Sequence, residues 1–269
     1  MTIRKSAAER ARDALRRRFA GATDDKGYMA EPGENLIAGV RPDQFEADLK
    51  AGAGNELRAR FCAVHSSSAL AINCFAPFKD RPADLQLIGT SGACRVSFER
   101  RLPIIPDRTP ANLDVWIERN CGTVAVESKL LEYFARKRPT FADAYQQLAP
   151  PVSEPSWWSA CERYWDGPPA RLDAAQLIKH YFGLRLHQET LCAPASLTLL
   201  YLFWEPDNGD EVEECIEHRS EVEEFASMVE GGGIAFTWMT YADLWREWKH
   251  EPLLADHARR LEARYAVAI

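Results

Sequence analysis

A chain of 269 residues, 46% hydrophobic and 27% charged, has room for one large domain or two small ones with a full core. No stretch approaches the roughly 18 uninterrupted apolar residues of a membrane helix, and Met1-Thr2-Ile3-Arg4-Lys5 opens a charged segment instead of an apolar leader, so a cytoplasmic protein with no membrane partner is expected. A net charge of −7 argues against an extensively basic surface, and seven cysteines without a C-x-x-C pair argue against a disulfide framework or a zinc ribbon.

Charge is uneven along the chain. Residues 1–19 carry seven basic side chains against two acids, leaving −12 on the remainder. A solvated amphipathic helix over 2–20 accounts for this, and a DNA-contacting arm is the alternative. Gly21 to Gly33 reads as a connector, and Pro42 to Lys50 as helical with Pro in the first turn. From Asn55 to Phe78 the apolar spacing predicts one long or kinked helix. Leu85–Ile88 and Arg95–Glu99 are short, carry β-branched or aromatic residues, are bounded by Gly and Pro, and read as strands. This divides the chain into an N-terminal helical region, 1–54, and a main domain, 55–269.

The segment 110–129 alternates with the period of a half-buried strand on both sides of Asn120-Cys121-Gly122. Leu113, Val115 and Ile117 share one face; Asn112, Asp114, Trp116 and Glu118 share the other. In the second half Val124 and Val126 oppose Thr123, Ala125, Glu127 and Lys129. Beyond Lys129 the pattern turns helical (130–138 and 141–148), and a Pro- and Trp-rich excursion fills 150–169. Asp173 caps a helix containing Gln176, Lys179 and His180 that ends near Gly183. Ser196–Glu205 is a buried strand, 210–229 a charged helix, Ile234–Met239 a strand and Tyr241–Tyr265 a closing helix. Interleaved elements of this kind make a layered α/β domain.

A two-residue hairpin loop at Asn120–Cys121 opposes Arg119 to Gly122. Counting back along both strands then opposes Asp114 to Glu127, on the order of 5 Å apart at Cβ, with Lys129 on the same face. A three-residue loop would shift this by one. Two clustered carboxylates repel unless a proton or cation lies between them. Oxygen ligation by few protein groups suits Mg²⁺, which retains waters and takes phosphate oxygens from substrate. Such an ion polarises a phosphodiester and acidifies bound water, and Lys129 is placed to orient that water or neutralise the phosphorane. On pattern alone, a solvated ladder of surface ion pairs explains the same residues.

Asp114 and, after twelve intervening residues, Glu127-Ser128-Lys129 resemble the PD-(D/E)XK motif of the restriction-endonuclease-like nucleases. His65-Ser-Ser-Ser-Ala-Leu-Ala-Ile-Asn73 and Val126-Glu-Ser-Lys-Leu-Leu-Glu-Tyr133 are similar to a bacterial restriction endonuclease family, and the resemblance spans roughly 55–245. Only the hairpin motif is mechanistically specific, and it departs from the pattern in having Leu113, not proline, before the aspartate. The resemblance implies a restriction-endonuclease-like core, a central mixed sheet flanked by helices on both faces. It implies Asp114, Glu127 and the Ser128 carbonyl as metal ligands for Mg²⁺ (Mn²⁺ substituting), Lys129 as catalytic lysine and Gln176 as a further active-site residue. Glu132, one helical turn on, is a weaker candidate read more simply as an exposed helix carboxylate, and Glu56 is a weak candidate for the acid that many such nucleases take from the helix before the sheet. The implied activity is hydrolysis of DNA to 5′-phosphate ends, in restriction or defence, with RNA not excluded as substrate and a homodimer or protein partner expected. The competing function is a nuclease fold without turnover, serving as a nucleic-acid-binding or assembly module.

Other motifs are set aside. Gly89-Thr-Ser-Gly-Ala-Cys94 lacks the Gly-Lys-Ser/Thr of a phosphate loop, and no G-x-S-x-G elbow occurs. His180 and His187 lie seven apart, not at the i, i+4 spacing of zinc helices, and read as structural. Trp157, Trp158 and Trp165 are assigned to packing over base stacking.

Overall fold

The computed structural model describes residues 5–52, 60–120, 122–190 and 196–269. Its centre is a five-stranded sheet in sequential order: β1 (Ala93–Leu102), β2 (Ala111–Arg119), β3 (Gly122–Lys129), β4 (Ser196–Phe203) and β5 (Ile234–Thr240). The first three strands run antiparallel, and β3, β4 and β5 are mutually parallel. On one face lie α1 (Ala7–Arg18), α3 (Ser67–Phe75), α7 (Tyr241–Lys249) and α8 (Ala255–Tyr265), with α2 (Glu46–Ala51) at the margin. The other face carries α4 (Pro155–Trp165), α5 (Ala174–Glu189) and much of α6 (Glu213–Met228). The expected mixed α/β sheet with helices on both faces is therefore present.

β3 and β4 are apolar on both sides because both faces are covered. Val124, Val126, Leu200 and Leu202 enter the first core, while Ala125, Leu197, Leu199 and Tyr201 enter the second. The face that carries Glu127 and Lys129 is thus an interior one beneath α5, which corrects the picture of a solvent-facing acidic surface.

The face assignment of Leu113 is also corrected. Val96 and Phe98 of β1 point into the first core but Leu102 into the second; in β2, Val115 and Ile117 point to the first and Leu113 to the second. Both strands change face at the same level. There Glu99 adopts φ 53°, and the pairing passes from Phe98–Val115 to Arg100–Leu113 across Glu99 and Asp114. A left-handed non-glycine residue costs roughly 1–2 kcal/mol, and this one turns the ribbon over at the aspartate.

Several boundaries differ from the sequence reading. Leu85–Ile88 is not a strand; Leu87 makes one isolated bridge to Thr90. Of the helix expected over 55–78, Ser67–Phe75 is helical and continues as a 3₁₀ turn, residues 60–66 are irregular, and the earlier part lies outside the described residues. Helical periodicity after Lys129 yields only 3₁₀ turns at Glu132–Phe134 and Asp143–Leu148, whereas the excursion at 150–169 contains α4, started by Pro155. α5 runs past Gly183 to Glu189. A Cβ at Gly183 would lie 2.8 Å from Leu102 Cβ and 3.3 Å from Ala111 Cβ, so this glycine serves close helix–sheet approach, not termination. The closing helix is broken into α7 and α8 around Pro252.

Gly122 starts β3, where a Cβ would lie 2.1 Å from Ser196 Oγ and 2.3 Å from Ser196 O. Gly122→Ala must push β4 away from the hairpin. It is expected to lower stability by about 3 kcal/mol, the upper range for overpacking, read as a reduced urea midpoint; an unchanged midpoint would show that the β3–β4 junction yields freely.

Candidate active site

The hairpin register is the two-residue-loop form, with Arg119 opposite Gly122 and pairing continuous to Val115–Val126. Asp114 and Glu127 are the next positions along, beyond the last paired residues. Instead of continuing the ladder, the Asp114 carboxylate reaches across and accepts the Ser128 N–H at 2.6 Å. Ser128 is fixed from the opposite face by its hydroxyl, 2.7 Å from the Tyr241 hydroxyl at the start of α7.

Glu127 is 1% exposed and both of its oxygens are engaged. Lys129 Nζ lies 2.5 Å from Oε1, and His180 Nε2 lies 2.7 Å from Oε2. Lys129 also donates to Gln176 Oε1 at 2.8 Å. Gln176 and His180 are four residues apart on α5 and therefore share one face of that helix. Its N-terminus is capped by Asp173, whose side chain accepts the Gln176 N–H. One helix turn thus grips both charged members of the β3 motif.

The electrostatics follow from this geometry. Burial works against ionisation of Glu127, but Lys129 and His180 override it and hold the acid down at about 2. An ionised carboxylate only accepts hydrogen bonds, so His180 carries its proton on Nε2. The Lys129 ammonium is disfavoured by burial, yet Glu127, Glu132 and Asp114 keep it firmly protonated. Asp114 is pushed well above the ordinary aspartate range, first by burial and then by the Glu127 charge, with Lys129 opposing. Two carboxylates share one ammonium, and Asp114 is the one left short of positive charge.

Among the described residues no group of three or more His, Cys, Asp or Glu side chains forms a ready-made metal cage. The donor set nevertheless fits a hard cation. Lys129 O accepts the Trp204 N–H on the β4 side, whereas Ser128 N–H points to Asp114 on the β2 side. Because successive residues of a strand present their peptide groups to opposite edges, the Ser128 carbonyl leaves β3 on the edge that holds Asp114. Two carboxylates and a carbonyl at one place, with one carboxylate short of positive charge, are oxygen ligands of the kind Mg²⁺ takes.

Other candidates separate clearly. Glu132 is exposed and caps the Leu130 N–H at 2.8 Å, reaching Lys129 through its charge. Glu56 lies outside the described residues. His187 packs edge-on against Trp116, a structural role as expected. Trp157 is fully buried and stacks on Tyr181, in keeping with packing. His180 is the residue that sequence reasoning missed. Comparing it with His187 hid the informative spacing, which is four residues from Gln176.

A central Glu-x-Lys strand beside an aspartate strand, in a mixed sheet sandwiched by helices, defines the restriction-endonuclease-like class of α/β fold. The chain belongs to the family described as "Restriction Endonuclease associating with ARP", whose model it matches over residues 5–266. This membership suggests a nuclease-like role. No curated protein and no solved structure matches the chain.

Proposed function

We propose that this chain is a metal-dependent nuclease that hydrolyses phosphodiester bonds of DNA. The carrying observation is the constellation itself: Asp114 at the point where β1 and β2 turn over, and Glu127 and Lys129 buried under α5 with their charges held by His180 and Gln176. A purely structural ion pair has no need of a second, half-buried carboxylate alongside it, because each added charge drawn from water without a partner is costly.

In this reading Asp114, Glu127 and the Ser128 carbonyl hold Mg²⁺, with Mn²⁺ able to substitute. The ion supplies polarisation of the phosphodiester and a more acidic bound water. Lys129 keeps its proton and places positive charge where the phosphorane gains negative charge. Gln176 fixes the direction of the ammonium. His180 holds the Glu127 carboxylate in one orientation through Oε2.

The family description attaches its members to a partner, ARP. A net charge of −7 leaves little general attraction for DNA, so a partner that supplies part of the affinity is in keeping with this chain. In the N-terminal segment Lys5 pairs with Asp13, Arg16 with Thr23 and Asp25, and Arg18 with the Ala263 carbonyl, so half of its six described basic side chains are held locally, in keeping with a solvated helix. No described helix is long and apolar enough to cross a membrane.

A second reading, a nuclease fold without turnover, draws on one observation: both oxygens of Glu127 are already engaged by side chains. Incubation of the purified chain with plasmid, linear DNA and RNA at low salt separates the two, using Mg²⁺, Mn²⁺ or EDTA. Cleavage that needs the metal is expected; its absence with all substrates, with and without the family's partner, would favour the binding module.

A further inference from the structure

Beside the buried constellation a cleft of about 370 Å³ opens between the start of β2 and the first turns of α5. Gln176 and His180 form its inner wall, so it is continuous with the proposed catalytic centre. Its other walls bring Asn112, Thr109 and Thr140 together with Lys137, Lys179 and Tyr145. The charge balance is positive, which is unusual in a chain of −7. Asp173 is the one acid in the lining, and it is already committed to capping α5 and to the Lys137 ion pair. Lys179 makes no salt bridge or side-chain hydrogen bond among the described residues, although burial disfavours its charge. A partly buried ammonium with no anion in contact, at the mouth of a polar cleft lined by hydroxyls, is a place prepared for an anion.

We infer that this cleft binds one nucleotide of the substrate strand next to the bond that is cut, with its phosphate on Lys179. The inference rests on the nuclease reading and adds to it the direction of the substrate strand: from the hairpin centre across the N-terminal half of α5. The volume accommodates one nucleotide. Thr109 and Thr140 offer hydroxyl donors to a phosphate or sugar, and Asn112, whose Nδ2 is bound to Glu99, leaves a buried Oδ1 without a partner to accept from the nucleotide. The Tyr145 ring lines the same cleft and supplies an apolar wall against which a base or sugar can rest.

The experiment measures binding, not cleavage, so that its outcome is independent of turnover. A fluorescently labelled single-stranded oligonucleotide is titrated with the full chain in EDTA over a series of salt concentrations. Three proteins are compared: wild type, Lys179→Gln, and Lys249→Gln as a control on the remote α7–α8 ion pair with Glu262. Loss of one phosphate contact is expected to weaken binding about 3- to 10-fold at low salt and to reduce the slope of log affinity on log salt by about 0.7. Lys249→Gln is expected to leave the slope as in wild type. Equal slopes for Lys179→Gln and wild type would overturn the cleft while leaving the nuclease reading intact. Wild type that fails to bind the oligonucleotide would overturn it as well. A wild type that binds through Lys179 yet never cleaves would instead sink the catalytic reading and leave the cleft standing.

Discussion

Replacing Lys129 by alanine is expected to reduce metal-dependent cleavage of DNA by at least 10²-fold, the loss that follows removal of one preorganised group facing developing charge. Lys129 is the strongest single test because the geometry isolates it. It is 13% exposed, ion-paired with Glu127 and oriented by Gln176, so its charge is fixed in position before substrate arrives. Preorganised charge in a site shielded from water acts more strongly than the same charge in solution. Lys129→Ala leaves the buried Glu127 with His180 as its remaining partner and so also lowers stability, and far-ultraviolet circular dichroism and a urea midpoint check that the protein assayed is folded. Cleavage that survives undiminished in a folded Lys129→Ala protein would place the chemistry elsewhere. Gln176→Ala should act in the same direction but more weakly, because it removes the orientation of the ammonium and not the charge.

The parts of this arrangement that were legible in the sequence are those set by local periodicity. Alternation in 111–129 and the Asn-Cys-Gly turn fixed the hairpin, and the pairing of Arg119 with Gly122 is the one a two-residue loop requires. Ser196–Phe203 is legible as a buried strand from its unbroken run Leu199-Leu-Tyr-Leu-Phe203. What was not legible depends on long-range contacts. The reversal of faces at Glu99 and Asp114 arises from a left-handed residue that carries no glycine to betray it, so Leu113 was placed on the wrong side. The 3₁₀ turns after Lys129 have apolar residues at helical spacing, yet tertiary packing of Tyr133 and Phe134 against the core, and not propensity, decides their form. His180 belongs to the same class of omission. Only the close docking of α5 through Gly183 brings its ring to Glu127.

Removing Glu127 alone is expected to destabilise the fold far more than removing it together with its partner. Glu127→Ala leaves Lys129 buried without its first counter-charge, and breaking a buried pair from one side typically costs about 3–5 kcal/mol. The double variant Glu127→Gln/Lys129→Met keeps the volumes, removes both charges, and is expected to come within about 1 kcal/mol of wild type or to exceed it. Urea midpoints of the single and double variants read this directly. The acid side adds a second signature. The pKa of Glu127 falls from 4.5 to about 2 on folding, so its pairing favours the fold at neutral pH and is lost as pH falls from about 4.5 toward 2. The double variant is expected to lack that portion of the acid sensitivity. If the double variant is instead as unstable as Glu127→Ala, the pair is structural cement and its burial needs no functional reason. If it is stable but inactive, the two charges are kept in the interior at no gain to folding, and the chemistry at Asp114 is what retains them.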